Sequence, residues 1–511
     1  MSMTAPEPEA TDPVAPRAQE PPNLKDRADA ALQVLADYRS ADAPTHGGHV
    51  LSYVYDSGLG VLDEVAASAA RMVQSVNGLD PTVFGSVAAM ERDLIEFGRT
   101  TFHGPDAVGS VTSGGTESCL LAVKAARDRA GAAPGQSSMV VPTTAHAAFL
   151  KAAALFGVEA IRVPVPTAST AVRANDIADA IRDDTILVVA SAPNYPTGAL
   201  DPIAEIAEIT RSRDLAFHVD ACLGGFALAW WDGLPPWDFR VDGVTSLSAD
   251  LHKYGYAPKG SSLLLHRDRD RHRAQFFSIT DWPGYPIVNP TLLGSRSAAG
   301  LASAWAVSRT LGADGYAALT RRIRHAFDDV VTAIDGIDGL CVVGAPSGPV
   351  LAVRTDPEAS EPVDTHLWGS AVSARGFALQ AQPAFTQPDG TVLPATTHLT
   401  ITPVTDSVVD ELVEVLALAA EEVRGAPARP APEALREVAG AFDSGAVTLD
   451  QALALPSAAA EEVLIAAGID PRRHGGASDL DMPAIIAAVE SLPRPVTARL
   501  LAEFLAAYCS P

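Results

Sequence analysis

From about residue 105 to 270 the chain alternates short β-rich runs with helical patterns. This alternation limits the possible folds more than any other feature. "AVGSVT" (107–112), "SMVVP" (138–142), "EAIRVPV" (159–165), "TILVVASAP" (185–193), "LAFHVDAC" (215–222), "GVTSLSAD" (243–250) and "SSLLLHRD" (261–268) read as strands. "TESCLLAVKAARDRA" (116–130), "AHAAFLKAAALFG" (145–157) and "DPIAEIAEITRSRD" (201–214) read as helices. In the last of these, Asp201 is placed to cap the helix and Pro202 opens its first turn, while Ile203, Ile206, Ala207 and Thr210 share one face. Alternating β and α units predict an α/β fold, with a mostly parallel sheet covered by helices on both sides. Ligands of such sheets sit at the carboxyl ends of the strands, so chemistry is sought just after each strand.

The flanks complete a five-part organisation. Residues 1–22 are rich in Pro, Glu and Ala and read as a disordered tail. Residues 23–104 form a helical, loop-rich arm, 105–310 the large domain and 311–424 a smaller α/β domain. Residues 425–511 are a Pro-rich linker and an alanine-rich helical extension. The 511 residues carry 62 acidic and 37 basic side chains, a formal charge of −25. Such a chain repels nucleic-acid backbones and anionic lipid, and no basic patch offsets this. No apolar run reaches the roughly 18 residues needed to span a bilayer, and the first residues lack a secretory pattern. Cys119, Cys222, Cys341 and Cys509 lie far apart with no metal-type spacing. They predict reduced thiols in a cytoplasmic protein, and no metal is expected.

Lysine is scarce: only Lys25, Lys124, Lys151, Lys253 and Lys259 occur, and arginine supplies the other basic charge. Lys253 follows a strand, beside His252. The preceding strand ends carry "SGGTES" (113–118), a glycine turn into a helix start whose Gly114, Gly115 and Thr116 form an anion cup or an ordinary turn. They also carry His146, at a helix start, and Asp220, a carboxylate closing an apolar strand. A lysine amine forms a Schiff base with an aldehyde. Pyridoxal phosphate requires that lysine, an acidic partner for its ring nitrogen and a cup for its phosphate. Lys253, Asp220 and the cup supply all three, and His146 could stack on the cofactor face. Lys259 could reach the same cleft and meet a substrate anion; a surface lysine fits its position equally well.

These motifs resemble the sphingosine-1-phosphate lyase family, in the group II decarboxylase branch of fold-type I pyridoxal phosphate enzymes. The resemblance covers roughly residues 45–310. It rests on "TSGGTES" (112–118), "AHAAFLKAA" (145–153), "HVDACLGGF" (218–226), "DFRVDGVTSLSADLHKYGYAPKGSS" (238–262), "TDWPG" (280–284) and "PTLLGSR" (290–296). It implies that Lys253 bonds the cofactor, Asp220 pairs with its ring nitrogen and His146 stacks on it. Gly114, Gly115, Thr116 and His252 would hold the phosphate, and Gly294 and Ser295 would reach it from a neighbouring subunit of an obligate homodimer. Tyr55, Lys259 and the Thr197 position fall on the substrate side. The tail end "PRPVTARLLAEFLAAY" (493–508) resembles the family's last helix, which implies that about 60 residues before it are an insertion of this chain.

Departures lie on the substrate side. Asp80 stands where the family has a histidine that helps hold a substrate phosphate, Thr197 where a histidine is common, and Ile287 where the family has a tyrosine, with Tyr285 two places away. The implied reaction is cleavage of a Cα–Cβ bond in a β-hydroxy amine, with Tyr55, His252 and Lys253 as candidate acids and bases. Loss of a carboxylate from an amino acid is the alternative chemistry, and a non-catalytic scaffold is a third reading that retention of Lys253 and Asp220 opposes.

Overall fold

A computed structural model describes residues 23–472 and 481–510. The predicted tail over 1–22 and part of the C-terminal extension lie outside the described residues. The stretch through Ala43 belongs to a unit of its own. Its helix, Leu24–Arg39, buries no residue.

The main unit is built on seven strands: β1 (Val108–Thr112), β2 (Ser138–Pro142), β3 (Glu159–Val163), β4 (Thr185–Ser191), β5 (Ala216–Asp220), β6 (Ser246–Ala249) and β7 (Ser262–His266). Their order is β1-β7-β6-β5-β4-β2-β3. β7 runs antiparallel to both β1 and β6, and the pairings among β2 to β6 are parallel. Every strand but β7 therefore points the same way, and their carboxyl ends meet along one edge. The central strands are apolar because both faces are covered. Val188 and Val189 on β4, Phe217 and Val219 on β5, and Leu263 to Leu265 on β7 have no exposed surface. Buried polar groups on the strands are paired: the hydroxyls of Thr112, Ser118 and Ser262 form a chain at 2.7 and 2.9 Å. His218 bridges Ser246 and Ser248 at 2.9 and 3.0 Å, and burial lowers its pKa to about 4, so it stays neutral.

Two local expectations change. The second helix begins at Ala148, not Ala145. His146 therefore stands in the loop ahead of it and accepts the Ala148 amide at Nδ1, 3.2 Å. The helix Ile203–Ser212 buries Ile203, Ile206, Ala207 and Thr210 as its periodicity predicts, but Asp201 does not cap it. Asp201 turns inward and accepts the amides of Ser191 (2.8 Å) and Val172 (3.1 Å), tying β4 to the loop before the helix. Burial raises its carboxyl to about pKa 6.

Beyond the large sheet, helix Ala299–Asp335 breaks at Gly312, whose φ of 56° suits glycine. It leads to a second sheet of four antiparallel strands, ordered Leu340–Val342, Val350–Thr355, Thr396–Thr400, Gln380–Gln382. The segment before Tyr55 is stitched to this sheet: Leu51 donates to Ala378 O at 2.9 Å and Thr400 donates to Leu51 O at 2.7 Å. The C-terminal helices share a small core of their own, including Leu435, Leu464, Leu492, Val496 and Leu500.

Candidate active site

The turn after β6 carries the central lysine. Asp250 directly follows the strand with its side chain 1% exposed, and Lys253 Nζ lies 3.0 Å from its Oδ2. Tyr254 is fully buried and donates to Ile401 O at 2.8 Å, pinning the turn to the second sheet. Burial alone would lower the Lys253 amine, but the Asp250 carboxylate together with Tyr55 and Cys222 outweighs it and pushes the amine above the ordinary lysine range. Burial likewise opposes ionisation of Asp250, yet Lys253 and His252 hold its carboxyl below the usual value. The other Asp250 oxygen has no hydrogen-bond partner among the described residues.

The glycine cup faces this carboxylate. Gly114 has φ 154°, and a Cβ on Gly115 would stand 2.7 Å from both Asp250 oxygens, so the approach of the two elements demands glycine. Gly115 and Thr116 open the helix Gly115–Ala130, whose first amides have no partner within the helix. Glu117, absent from the sequence-based candidates, clamps the cup: its carboxylate accepts Ser113 N and Leu292 N, both at 2.6 Å.

Strand direction brings the remaining candidates together. Gly114, Gly115, Thr116, His146, Asp220, His252 and Lys253 line one cavity of about 400 Å³, joined by Tyr195, Cys119, Cys222 and Asp250. Asp220 closes β5 beside Ser191 of β4 and Ser248 of β6, and its Oδ1 accepts Cys222 N at 3.1 Å. Cys119 and Cys222, far apart in sequence, meet here: their sulfurs and an Asp220 oxygen lie within 4.8 Å of one another. Tyr55 packs edge-on against Tyr254, centroids 5.2 Å apart, with Lys259 Nζ 4.5 Å from the centre of its ring. Lys259 also donates to His252 O at 3.0 Å. Burial of the amine, then repulsion from Lys253, lowers the Lys259 pKa to about 8.

Two sequence-based assignments need restating. His252 is not placed as a base: its Nδ1 accepts Ser261 N (3.2 Å) and Gly260 N (3.4 Å), which leaves Nε2 as the protonated nitrogen, 3.5 Å from Asp250. Burial lowers its pKa, so the neutral ring is a hydrogen-bond donor. Thr197 is not among the cavity's lining residues; its hydroxyl bonds Thr170 (2.7 Å) and Asn194 (3.0 Å) in a buried network. Gly294 and Ser295 lie apart from the Lys253 cavity within this chain, and Ser295 accepts Asn77 Nδ2 at 3.4 Å. Asp80, Tyr285 and Ile287 share a separate cavity of about 720 Å³. The Asp80 carboxylate accepts the hydroxyl and amide of Thr82, which keep it ionised. Tyr195 was missed by the sequence reading, although "APNYPTG" directly follows β4 and its position there was a usable signal.

The description "Pyridoxal-dependent decarboxylase conserved domain" matches residues 83–333. Sphingosine-1-phosphate lyase 1 of Rattus norvegicus is 37% identical over 353 residues, 68% of this chain and 61% of the relative. Sphingosine-1-phosphate lyase of Arabidopsis thaliana is 36% identical over 372 residues, 70% of this chain and 65% of the relative. A solved Burkholderia pseudomallei sphingosine-1-phosphate lyase superposes with TM-score 0.71 at 30% identity, covering 86% of this chain and 97% of that one. The chain belongs to the sphingosine-1-phosphate lyase family of pyridoxal-dependent decarboxylases. Its match to these two curated lyases spans 61% and 65% of their length. Lactobacillus brevis glutamate decarboxylase shares the fold, with TM-score 0.66 at 18% identity over 81% of this chain and 96% of that one.

The cofactor of this lyase family is pyridoxal 5'-phosphate, and the residues present fit it. The cavity volume falls in the range of small-molecule sites. The cup is shaped by a glycine that no other residue could replace without displacing Asp250. A carboxylate and an amine stand at separate strand ends of the same cavity.

Proposed function

We propose that this chain is a pyridoxal phosphate-dependent carbon–carbon lyase that cleaves the Cα–Cβ bond of a 2-amino alcohol, releasing an aldehyde and an amine. The reading is carried by one observation: Lys253 and Asp220 share a cavity with the glycine cup, and Tyr55 and Lys259 stack beside the same turn. Bound there, the cofactor supplies an electron sink for the bond broken at Cα.

Each residue then has a defined task. Gly114, Gly115 and Thr116 offer helix-start amides to the phosphate, and His252 adds its Nε2–H. Asp220 would accept a hydrogen bond from the cofactor's ring nitrogen, and His146, which lines the same cavity, would lie against its ring. Lys253 Nζ anchors the cofactor and afterwards carries the proton between the substrate hydroxyl and Cα. Burial raises the Tyr55 phenol, which favours Tyr55 as a hydrogen-bond donor to the substrate oxygen. Lys259 presents a cation to an anionic substrate group.

In this proposal the enzyme is an obligate homodimer, with Gly294 and Ser295 of the partner subunit closing the phosphate end. It works in the cytoplasm, where its four free cysteines stay reduced. Among the described residues no helix is long and apolar enough to cross a membrane. The test is turnover of phosphorylated and unphosphorylated amino alcohols and amino acids by the cofactor-loaded protein, with aldehyde and CO2 both measured. Aldehyde supports the lyase; CO2 without aldehyde replaces it with a decarboxylase.

A further inference from the structure

The segment Gln380–Gln387 touches Tyr195, which lines the Lys253 cavity, and the loop that leads from β2 to His146, which also lines it. At its start, Gln380 Oε1 accepts the hydroxyl of Tyr195 at 2.5 Å, while the Tyr195 ring stacks on buried His398, centroids 4.6 Å apart. At its end, Gln387 is held by residues just past β2 and β3. Its Oε1 accepts Val165 N (2.8 Å) and the Thr143 hydroxyl (2.6 Å), and its Nε2 donates to Val165 O (2.9 Å). Thr143 lies three residues ahead of His146, in the loop leaving β2.

The same segment is gripped from outside by the C-terminal helices. Glu490, in helix Met482–Ser491, accepts Ala384 N at 2.7 Å. Arg494, opening helix Arg494–Tyr508, donates to Thr386 O at 3.2 Å. Its guanidinium also lies 4.2 Å from the centre of the Phe385 ring, and Arg162, on β3, approaches that ring at 5.1 Å. Three consecutive residues, Ala384 to Thr386, are thus tied to the extension, and the residues on either side of them are tied to the cavity.

We propose that the C-terminal helices are a brace for the active-site walls: through Gln380–Gln387 they position Tyr195 and the His146 loop. Tyr195 and His146 face the cavity; Gln380, Gln387, Glu490 and Arg494 act through them as positioning residues. The consequence for amine binding rests on the lyase reading above, whereas the mechanical coupling does not.

The experiment uses the full-length, cofactor-loaded protein and its Glu490→Ala/Arg494→Ala variant, both substitutions being at exposed positions. Hydrogen–deuterium exchange is followed at residues 143–149 and 192–198. Losing a cation–π contact and two hydrogen bonds is expected to speed exchange in both segments by about fivefold to thirtyfold. The visible circular dichroism of the bound cofactor should weaken, and KM for amine should rise more than kcat falls. Gln380→Ala should reproduce the change only at 192–198, and Gln387→Ala only at 143–149. Faster exchange confined to 383–394 and the C-terminal helices, with both wall segments unchanged, overturns the brace. If the double variant does not fold, Arg494→Lys carries the test, because it keeps the charge but loses the flat stacking face. Coupled exchange without any cofactor signal would leave the brace standing and remove the lyase reading instead.

Discussion

Lys259 shows how one residue's surroundings set its use. Its amine sits over Tyr55 and near Lys253, and its pKa falls to about 8. It is cationic below that pH and neutral above it, so affinity for an anionic substrate should fall as pH rises through about 8. Lys259→Arg keeps the cation and should move that limb to higher pH. Lys259→Met should weaken the anionic substrate by about tenfold to a hundredfold at pH 7 and abolish the limb. Substrate KM measured from pH 6.5 to 9.5 checks this. The stability effect has a definite sign: between about pH 8 and the ordinary lysine value the unfolded chain binds the extra proton, so stability gains with rising pH in that window. Gly115 makes a second residue-scale prediction. Gly115→Ala drives a methyl group into the Asp250 carboxylate. It should cost about 1–3 kcal/mol of stability and weaken cofactor binding, read by thermal melting and by cofactor titration.

At the scale of elements, the strands that build the site are also the ones that hold the core. Phe217 on β5 is fully buried three residues before Asp220. Phe217→Ala should destabilise the protein by about 3–5 kcal/mol in denaturant unfolding, with the loss of volume felt at the strand end. These elements were legible because buried parallel strands need unbroken apolar runs, and "SMVVP" matches β2 residue for residue. Ends were less legible. Asp201 reads as a cap next to Pro202, but the amides of Ser191 at the end of β4 and of Val172 in a loop compete for its carboxylate and win. His146 likewise lies outside the helix that its alanine-rich neighbours suggested. Glu117's grip on Leu292 and the Cys119–Cys222 meeting depend on long-range contacts that no local pattern encodes, whereas Tyr195 stands just after β4, where the strand-end rule points. Thr197 was assigned by motif position alone, and its hydroxyl is spent on Thr170 and Asn194.

At the scale of the whole molecule, one strand direction gathers the residues after β1, β2, β4, β5 and β6 at one cavity, while Gly294 and Ser295 stay apart from it. If those two serve a partner subunit, two inactive variants should complement each other. Mixed by subunit exchange, Lys253→Ala and Gly294→Trp should regain about a quarter of wild-type activity, because half the dimers are mixed and each then holds one intact site. Complete inactivity of the mixture would place both groups in the same subunit. The central claim is that Lys253 carries the cofactor, and it can be tested without knowing the substrate. The protein is loaded with pyridoxal phosphate, reduced with borohydride and digested, and the modified lysine is located by mass spectrometry. The account predicts the pyridoxyl group on Lys253, and its absence, together with loss of the visible band, in Lys253→Ala. A label on Lys124, Lys151 or Lys259, or no label at all, would contradict it.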